Sequence, residues 1–272
     1  MKRIPSPRFL ENLLAEAAVA SGKVLMKYFN RKGLKVSEKT GAGLVTEADL
    51  SSEKVSIRIL KKACPHFAFL TEETSPEDIP VSPQSGRFIL DPLDGTTNFV
   101  HGFPMFCVSA AAEWNGEVVA GAIYHPVLGD LYTASKGRGA FINGKRMKVS
   151  ETKKTRDALL TTGFSYRRDL LLIAEMDAFE RLSGNARAIR RPGSAALDLA
   201  YVARGVFDGF WERRLSPWDV AAGSLIVKEA GGKVTDFSGK KFRLGSDEIL
   251  ASNGVLHRPL MKHVRPALDP RS

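Results

Sequence analysis

Apolar positions at three- and four-residue intervals mark the first element. Phe9, Leu13, Ala17, Ala20 or Val24, and Tyr28 predict an amphipathic helix over residues 9–28. A glycine- and charge-rich loop follows over 31–43, with the make-up of a surface lid. Leu44 to Asp49 is expected to open a second helix, capped by Thr46 and Asp49 and carried by Val55, Ile59 and Ala63 until Pro65. Two short apolar runs, Phe67–Leu70 and Phe88–Leu90, read as buried strands, the second stopped by Pro92. Residues 106–149 change to short runs punctuated by Asn115-Gly116, Leu128-Gly129-Asp130 and Asn143-Gly144, an antiparallel meander. Leu172, Met176, Phe179 and Leu182 predict a helix over 169–183, followed by a strand at Arg187–Arg190 and a helix after Ser194. A strand at Val206–Trp211, left by Glu212, precedes a helix with Ser216 as N-cap, Pro217 at its first position and a stop at Gly231-Gly232. The tail around Pro266 and Pro270 is expected to fray. Helices alternating with mixed strands and a long meander imply a mixed α/β layered fold with substantial antiparallel sheet.

Composition narrows the class. A chain of 272 residues fits one layered domain or two small lobes, and no apolar run is long enough to span a bilayer. Met1-Lys2-Arg3-Ile4-Pro5 runs into Glu11-Asn12 without a signal-peptide core. Two cysteines, Cys64 and Cys107, are too few for a disulfide scaffold, which points to reduced thiols and the cytoplasm. The net charge of +10 comes from scattered pairs such as Arg167-Arg168, Arg190-Arg191, Arg213-Arg214 and Lys240-Lys241. No basic run or aromatic-interleaved RNA motif accompanies them, so solvated faces and attraction of an anionic substrate account for the charge better than a nucleic-acid partner.

The chemistry concentrates in Asp91-Pro92-Leu93-Asp94-Gly95-Thr96-Thr97-Asn98-Phe99. Asp91 and Asp94, three apart across a turn, can converge on a point where a divalent cation offsets their repulsion. Gly95 allows close backbone approach, and Thr96, Thr97 and Asn98 suit a helix start with exposed N–H groups; together these suggest a phosphate. An EF-hand is excluded by spacing, with Gly102 where its last Glu belongs. Glu72 and Glu73, adjacent at a strand end, point oppositely, and Glu72 is expected to face inward. On residue type alone, Asp49 and Asp219 read as helix-capping acids, Ser194 as an N-cap, and His101 and His125 as loop or packing residues.

Those nine residues resemble the signature of the inositol monophosphatase family, magnesium-dependent and lithium-sensitive phosphatases. Trp218-Asp219 with Glu229-Ala230-Gly231-Gly232 resembles its second signature. Thr46 to Asp49, Gly193-Ser194-Ala195, and Glu72-Glu73 match three supporting motifs, although Thr71 stands where the last usually has Gly. The resemblance covers roughly residues 7–260. It implies a five-layered αβαβα sandwich, a single phosphatase domain over 1–272 whose two packed lobes meet near 150–185, and a homodimer. It also implies two or three magnesium ions held by Glu72, Asp91, the Leu93 carbonyl, Asp94 and Asp219. Thr96, partnered by Asp49, would orient the attacking water, with Glu72 also in the catalytic set. Asp94, Gly95, Thr96, Arg191, Gly193, Ser194, Ala195, Glu212 and Asp219 would contact substrate. The expected substrate is myo-inositol monophosphate, since Glu212 favours a neutral polyol over a second phosphate. Fructose 1,6-bisphosphate, NADP, a nucleotide 3′-phosphate or histidinol phosphate would keep the chemistry; a regulatory nucleic-acid-associated protein would keep only the fold.

Overall fold

The computed structural model describes residues 5–39, 43–74, 86–164 and 169–265. Gly41 of the expected lid, Arg167-Arg168, Pro266 and Pro270 lie outside these. In chain order the elements are α1 (Pro7–Tyr28), β1 (Val36–Glu38), β2 (Leu44–Thr46), α2 (Glu47–Ala63), β3 (Ala68–Thr71), β4 (Gly86–Asp94), α3 (Thr96–Val100), β5 (Cys107–Trp114), β6 (Glu117–His125), β7 (Asp130–Ser135), β8 (Ala140–Ile142) and β9 (Lys145–Met147). The second half follows with β10 (Leu159–Thr162), α4 (Leu170–Ser183), β11 (Ala188–Arg190), α5 (Ala195–Ala203), β12 (Gly209–Arg213), α6 (Pro217–Glu229), β13 (Lys233–Thr235), β14 (Glu248–Ser252) and α7 (His257–Val264).

Among the described residues the strands form a small β1-β2 sheet and two large ones, the first ordered β3-β4-β5-β6-β7-β8-β9 and the second β11-β10-β12-β14-β13. Helices α1 and α2 cover the outer face of the first, α5 and α6 fill the space between the sheets, and α4 and α7 cover the second. This is the expected five-layered αβαβα sandwich. The middle layer is alanine-rich because both faces of α5 and α6 are buried and only small side chains let two sheets close on them.

The meander turns as its Asn-Gly pairs require, with φ of 51° and 74° at Asn115 and Gly116 and 48° and 75° at Asn143 and Gly144. Four expectations shift. The buried face of α1 is Leu10, Glu11, Leu13, Leu14, Ala17, Ala18, Ser21, Gly22 and Leu25, which keeps Leu13 and Ala17 of the expected stripe, while Phe9 is 47% exposed. Small residues decide this: a Cβ at Gly22 would lie 2.4 Å from Tyr124 of β6, so the glycine side faces the sheet. Leu44–Thr46 forms a strand paired with β1, and α2 starts only at Glu47. The buried face of α2 is polar, with Asp49, Ser52, Glu53 and Ser56, whereas Ala63 is exposed. Ser21 Oγ bonds Ser56 Oγ at 2.7 Å and donates to Ser52 O at 2.9 Å, so these groups are satisfied inside, which an apolar-periodicity reading cannot register. Finally, β12 begins at Gly209, because the N–H groups of Val206 and Phe207 turn back to Tyr201 O, at 2.9 and 3.2 Å; Glu212 therefore lies within the strand, opposite Ile249.

Candidate active site

β4 runs on through Pro92 to Asp94. It pairs Asp91 with Ser109 and Asp94 with Cys107, so three steps on β4 match two on β5, and the extra residue forms a bulge. Pro92 has no N–H to lose there. The bulge brings both aspartates to the end of the strand. Asp91 Oδ1 accepts from Leu93 N at 2.9 Å, and Asp94 Oδ2 accepts from Ser194 Oγ at 2.6 Å and from Ala196 N at 2.8 Å. Ser194 thus gives its hydroxyl to Asp94 across the layers and does not cap its own helix; the start of α5 is spent on holding that carboxylate.

Asp219 arrives from the first turn of α6, in a capping box in which its Oδ2 accepts from Ser216 N at 2.7 Å. Ser109 Oγ on β5 donates to Trp218 O at 3.1 Å and ties this turn to the first sheet, a contribution from the meander that sequence reading missed. Carboxylate oxygens of Asp91, Asp94 and Asp219 lie within 4.8 Å of one another. Glu72 neighbours this cluster closely enough to push the Asp91 carboxyl up. Glu72 lines the cavity and Glu73 does not, as expected, yet both carboxylates receive Lys39 Nζ at 2.7 Å. Lys39 had read as one more charge in the 31–43 loop.

Burial, and then the neighbouring Glu72, Asp94 and Asp219, push the Asp91 carboxyl well above its ordinary range. Burial raises Asp94 to about 6 against the lowering effect of its Ser194 and Ala196 bonds, and burial with Asp94 and Glu72 raises Asp219. For Lys39, burial works against the charged form, but Glu72 and Glu73 outweigh it and the ammonium is held. The donor set is all oxygen and carries more negative charge than its surroundings neutralise. That fits a hard divalent cation, which takes carboxylate and carbonyl oxygens.

Beside the carboxylates, Asp49 is wholly buried, with Oδ2 accepting from Thr46 N at 2.9 Å and Thr46 Oγ1 at 2.6 Å. Its Oδ1 lies 3.2 Å from Thr96 Oγ1, which is also 3.0 Å from Leu93 O. Burial raises Asp49 to about 6, opposed by the Thr46 bonds. Gly95 has φ 94°, and a Cβ there would meet Met105 O at 2.8 Å, so a glycine is needed for both reasons. Glu53 on α2 was also missed: it accepts from Glu73 N at 3.1 Å and from Thr74 Oγ1 at 2.5 Å, fixing the turn that carries Glu72.

One cavity of about 760 Å³ joins these groups to Arg191, Gly193, Ala195 and Glu212. Burial and then Asp198 push the Glu212 carboxyl well up. Gly163 was not singled out, yet a Cβ there would lie 2.3 Å from Glu212 Oε1, so the carboxyl packs on bare backbone. All the sequence-nominated site residues therefore border one cavity, apart from Asp49, which reaches it through Thr96. His125 is a packing residue as expected, its Nε2 bonded to Pro104 O at 2.9 Å.

Carboxylates clustered at the end of β4 and the start of α6 in this layered sandwich define the class of metal-dependent phosphatases. The chain belongs to the inositol monophosphatase family, whose sequence model matches residues 7–269. It is 41% identical over 267 residues to an inositol-1-monophosphatase of Mesorhizobium japonicum, covering 96% of this chain and 98% of that one. It is 40% identical over 262 residues to the Nus factor SuhB of Pseudomonas aeruginosa, covering 95% and 97%. The crystal structure of the extragenic suppressor protein suhB from Bartonella henselae superposes with a TM-score of 0.89 at 42% identity, over 94% of this chain and 98% of that one. No helix among the described residues is long and apolar enough to cross a membrane.

Proposed function

We propose that the chain is a phosphomonoesterase that hydrolyses myo-inositol monophosphate, with Glu72, Asp91, the Leu93 carbonyl, Asp94 and Asp219 holding two or three magnesium ions. The convergence of the Asp91, Asp94 and Asp219 oxygens within 4.8 Å carries this reading. Magnesium, when bound, neutralises phosphoryl charge and makes water a better nucleophile at neutral pH. The chain's own part is positioning. Asp49, anchored by two bonds from Thr46, takes the Thr96 hydroxyl, leaving the Thr96 oxygen free to accept from the attacking water and to relay its proton. The left-handed turn at Gly95 presents the successive N–H groups of Gly95 and Thr96 to the phosphate oxygens. Glu212, Gly193, Ser194 and Ala195 border the space for the polyol, and Arg191 supports the anionic end. In this reading the protein works in the cytoplasm as a lithium-sensitive homodimer of single phosphatase domains.

The test is magnesium-dependent phosphate release from inositol 1-phosphate. Asp91→Asn is expected to lower kcat/KM by about 10²-fold or more; near-normal turnover would overturn the assignment. A second reading, a nucleic-acid-associated role beside catalysis, is favoured by relatives called Nus factor SuhB. Tight RNA binding with a steep salt dependence would support it, and binding lost by physiological salt would dismiss it.

A further inference from the structure

Between the turn proposed for the phosphate and the wall proposed for the rest of the substrate stands a side chain that the mechanism does not use. Asn98 lies in α3, after Gly95 and Thr96, and is not among the residues that line the cavity. Its carboxamide has two N–H hydrogens, and backbone carbonyls take both: Nδ2 donates to Met105 O at 2.7 Å and to Pro192 O at 2.8 Å. The Met105 carbonyl backs the phosphate turn, since it is the group that a Cβ at Gly95 would strike. The Pro192 carbonyl belongs to the turn that leads through Gly193 into α5.

That second turn closes on the carboxamide. Gly193 has φ 85°, and a Cβ there would lie 3.2 Å from Asn98 Nδ2, so a glycine lets the backbone come this near. Ser194 and Ala196 are anchored on Asp94, but those bonds do not reach Pro192 or Gly193. Among the described residues, the contacts of Asn98 Nδ2 are the only hydrogen bonds that join α3 to these two. The phosphate turn has supports of its own: Gly95 O accepts from Phe99 N at 3.0 Å, and Thr96 Oγ1 is held by Asp49 and Leu93 O. Loss of the carboxamide therefore frees the wall and spares the phosphate turn.

We propose that Asn98 is a positioning residue that sets the spacing between the phosphate turn at Gly95 and the wall at Pro192 and Gly193, and so governs how well a hydroxylated ring ester is aligned for attack. The proposal rests on the phosphatase reading and adds to it a residue that touches neither metal nor substrate. A misplacement of about 1 Å that originates outside the reacting groups can cost on the order of 10²-fold in rate. The cost falls on an ester that uses the wall, and an ester without hydroxyls escapes it.

The experiment measures kcat/KM for myo-inositol 1-phosphate and for p-nitrophenyl phosphate, which has no hydroxyl for the wall to hold, in the native protein, Asn98→Asp and Asn98→Ala. Asp keeps the shape and removes both N–H donors; Ala serves if a carboxylate facing two carbonyl oxygens prevents folding. The ratio of the inositol ester to the nitrophenyl ester is expected to fall by about tenfold or more, with the nitrophenyl value close to native. Equal losses on both esters, or none on either, would overturn the proposal. If the native protein hydrolyses neither ester, the phosphatase reading fails separately, and calorimetry in excess magnesium decides the role of Asn98. A Kd for myo-inositol 1-phosphate about fivefold weaker in the variant, with the Kd for inorganic phosphate unchanged, upholds it; parallel changes, or none, refute it.

Discussion

Asp219→Asn should make the metal-free protein more stable and the magnesium-saturated protein less so. The three carboxylates lie within 4.8 Å of one another, and two unit charges at that separation repel by about 3.5 kcal/mol at an effective dielectric of 20. Asp219 takes part in two such pairs. Proton uptake and water in the open cavity relieve most of this, leaving a gain of about 1–3 kcal/mol on neutralising it. For a chain of this size, that is a rise in Tm of roughly 2–10 °C. The substitution isolates charge from local structure, because the Asn carboxamide oxygen can still accept from Ser216 N, now 2.7 Å from Oδ2. Magnesium at a hundred times its Kd would stabilise the native protein by about 2.7 kcal/mol, and the variant should lose most of that. Thermal denaturation of both proteins in chelator and in excess magnesium should therefore give melting curves whose order reverses. A variant less stable than the native protein in chelator, or one that keeps the full magnesium shift, would refute the reasoning.

Three further substitutions probe separate links. Glu53→Ala leaves the half-buried Glu73 N–H without its acceptor, costing about 1 kcal/mol, and should raise the magnesium concentration needed for half-maximal activity; Glu53→Gln, which keeps one acceptor, should recover most of both, and an unshifted magnesium midpoint in the Ala variant would remove Glu53 from the site. Gly163→Ala should push the Glu212 carboxyl aside and lower kcat/KM for a polyol phosphate by about tenfold, read by steady-state kinetics. His257 is buried between Thr235 Oγ1 and Ser252 Oγ, both at 2.8 Å, and burial followed by Lys233 lowers it from 6.5 to about 4. The unfolded chain takes up its proton first, so stability is lost as pH falls from about 6.5 to 4, at about 1.4 kcal/mol per unit. His257→Gln should flatten that slope in denaturant titrations, and identical slopes would contradict the depressed pKa.

What could be read from the chain divides along a physical line. Asp91 and Asp94 were visible because they sit in one local turn whose geometry is set by a few consecutive residues, whereas the capping boxes of Asp49 and Asp219 showed only helix-capping acids and their site roles came from the resemblance. The meander and most helices were visible for the same local reason, but Leu44–Thr46 turned out a strand and β13, β14 and α7 were not anticipated. Lys39, Glu53, Ser109 and Gly163 were not, because each acts on a partner 33, 20, 109 or 49 residues away. Hydrophobic periodicity failed where polar groups satisfy one another inside, as on the Ser52 and Ser56 face of α2. It also placed β12 too early, since Val206 and Phe207 look like strand residues but spend their N–H groups closing α5.

The arrangement separates reaction from recognition by sheet. The β4 bulge, α3 and the Asp49–Thr96 pair bring the groups proposed for chemistry from the first sheet and its outer helices. The carboxyl ends of β10, β11 and β12 bring those proposed for the substrate's non-reacting part from the second. Asp94 joins the two, because its carboxylate is held by Ser194 and Ala196 at the start of α5. Changes at Arg191, Glu212 or Gly163 should consequently alter which phosphate ester is preferred while the magnesium-induced shift in Tm stays within error. Loss of the Ser194 hydroxyl should disturb both at once, since Ser194→Ala removes a 2.6 Å bond from a charged acceptor, worth about 1.5–3 kcal/mol. Measuring substrate preference and magnesium-induced Tm shift together on Ser194→Ala and Gly163→Ala decides the matter: a Ser194→Ala protein that changes only one of the two would mean that the sheets are not coupled through Asp94.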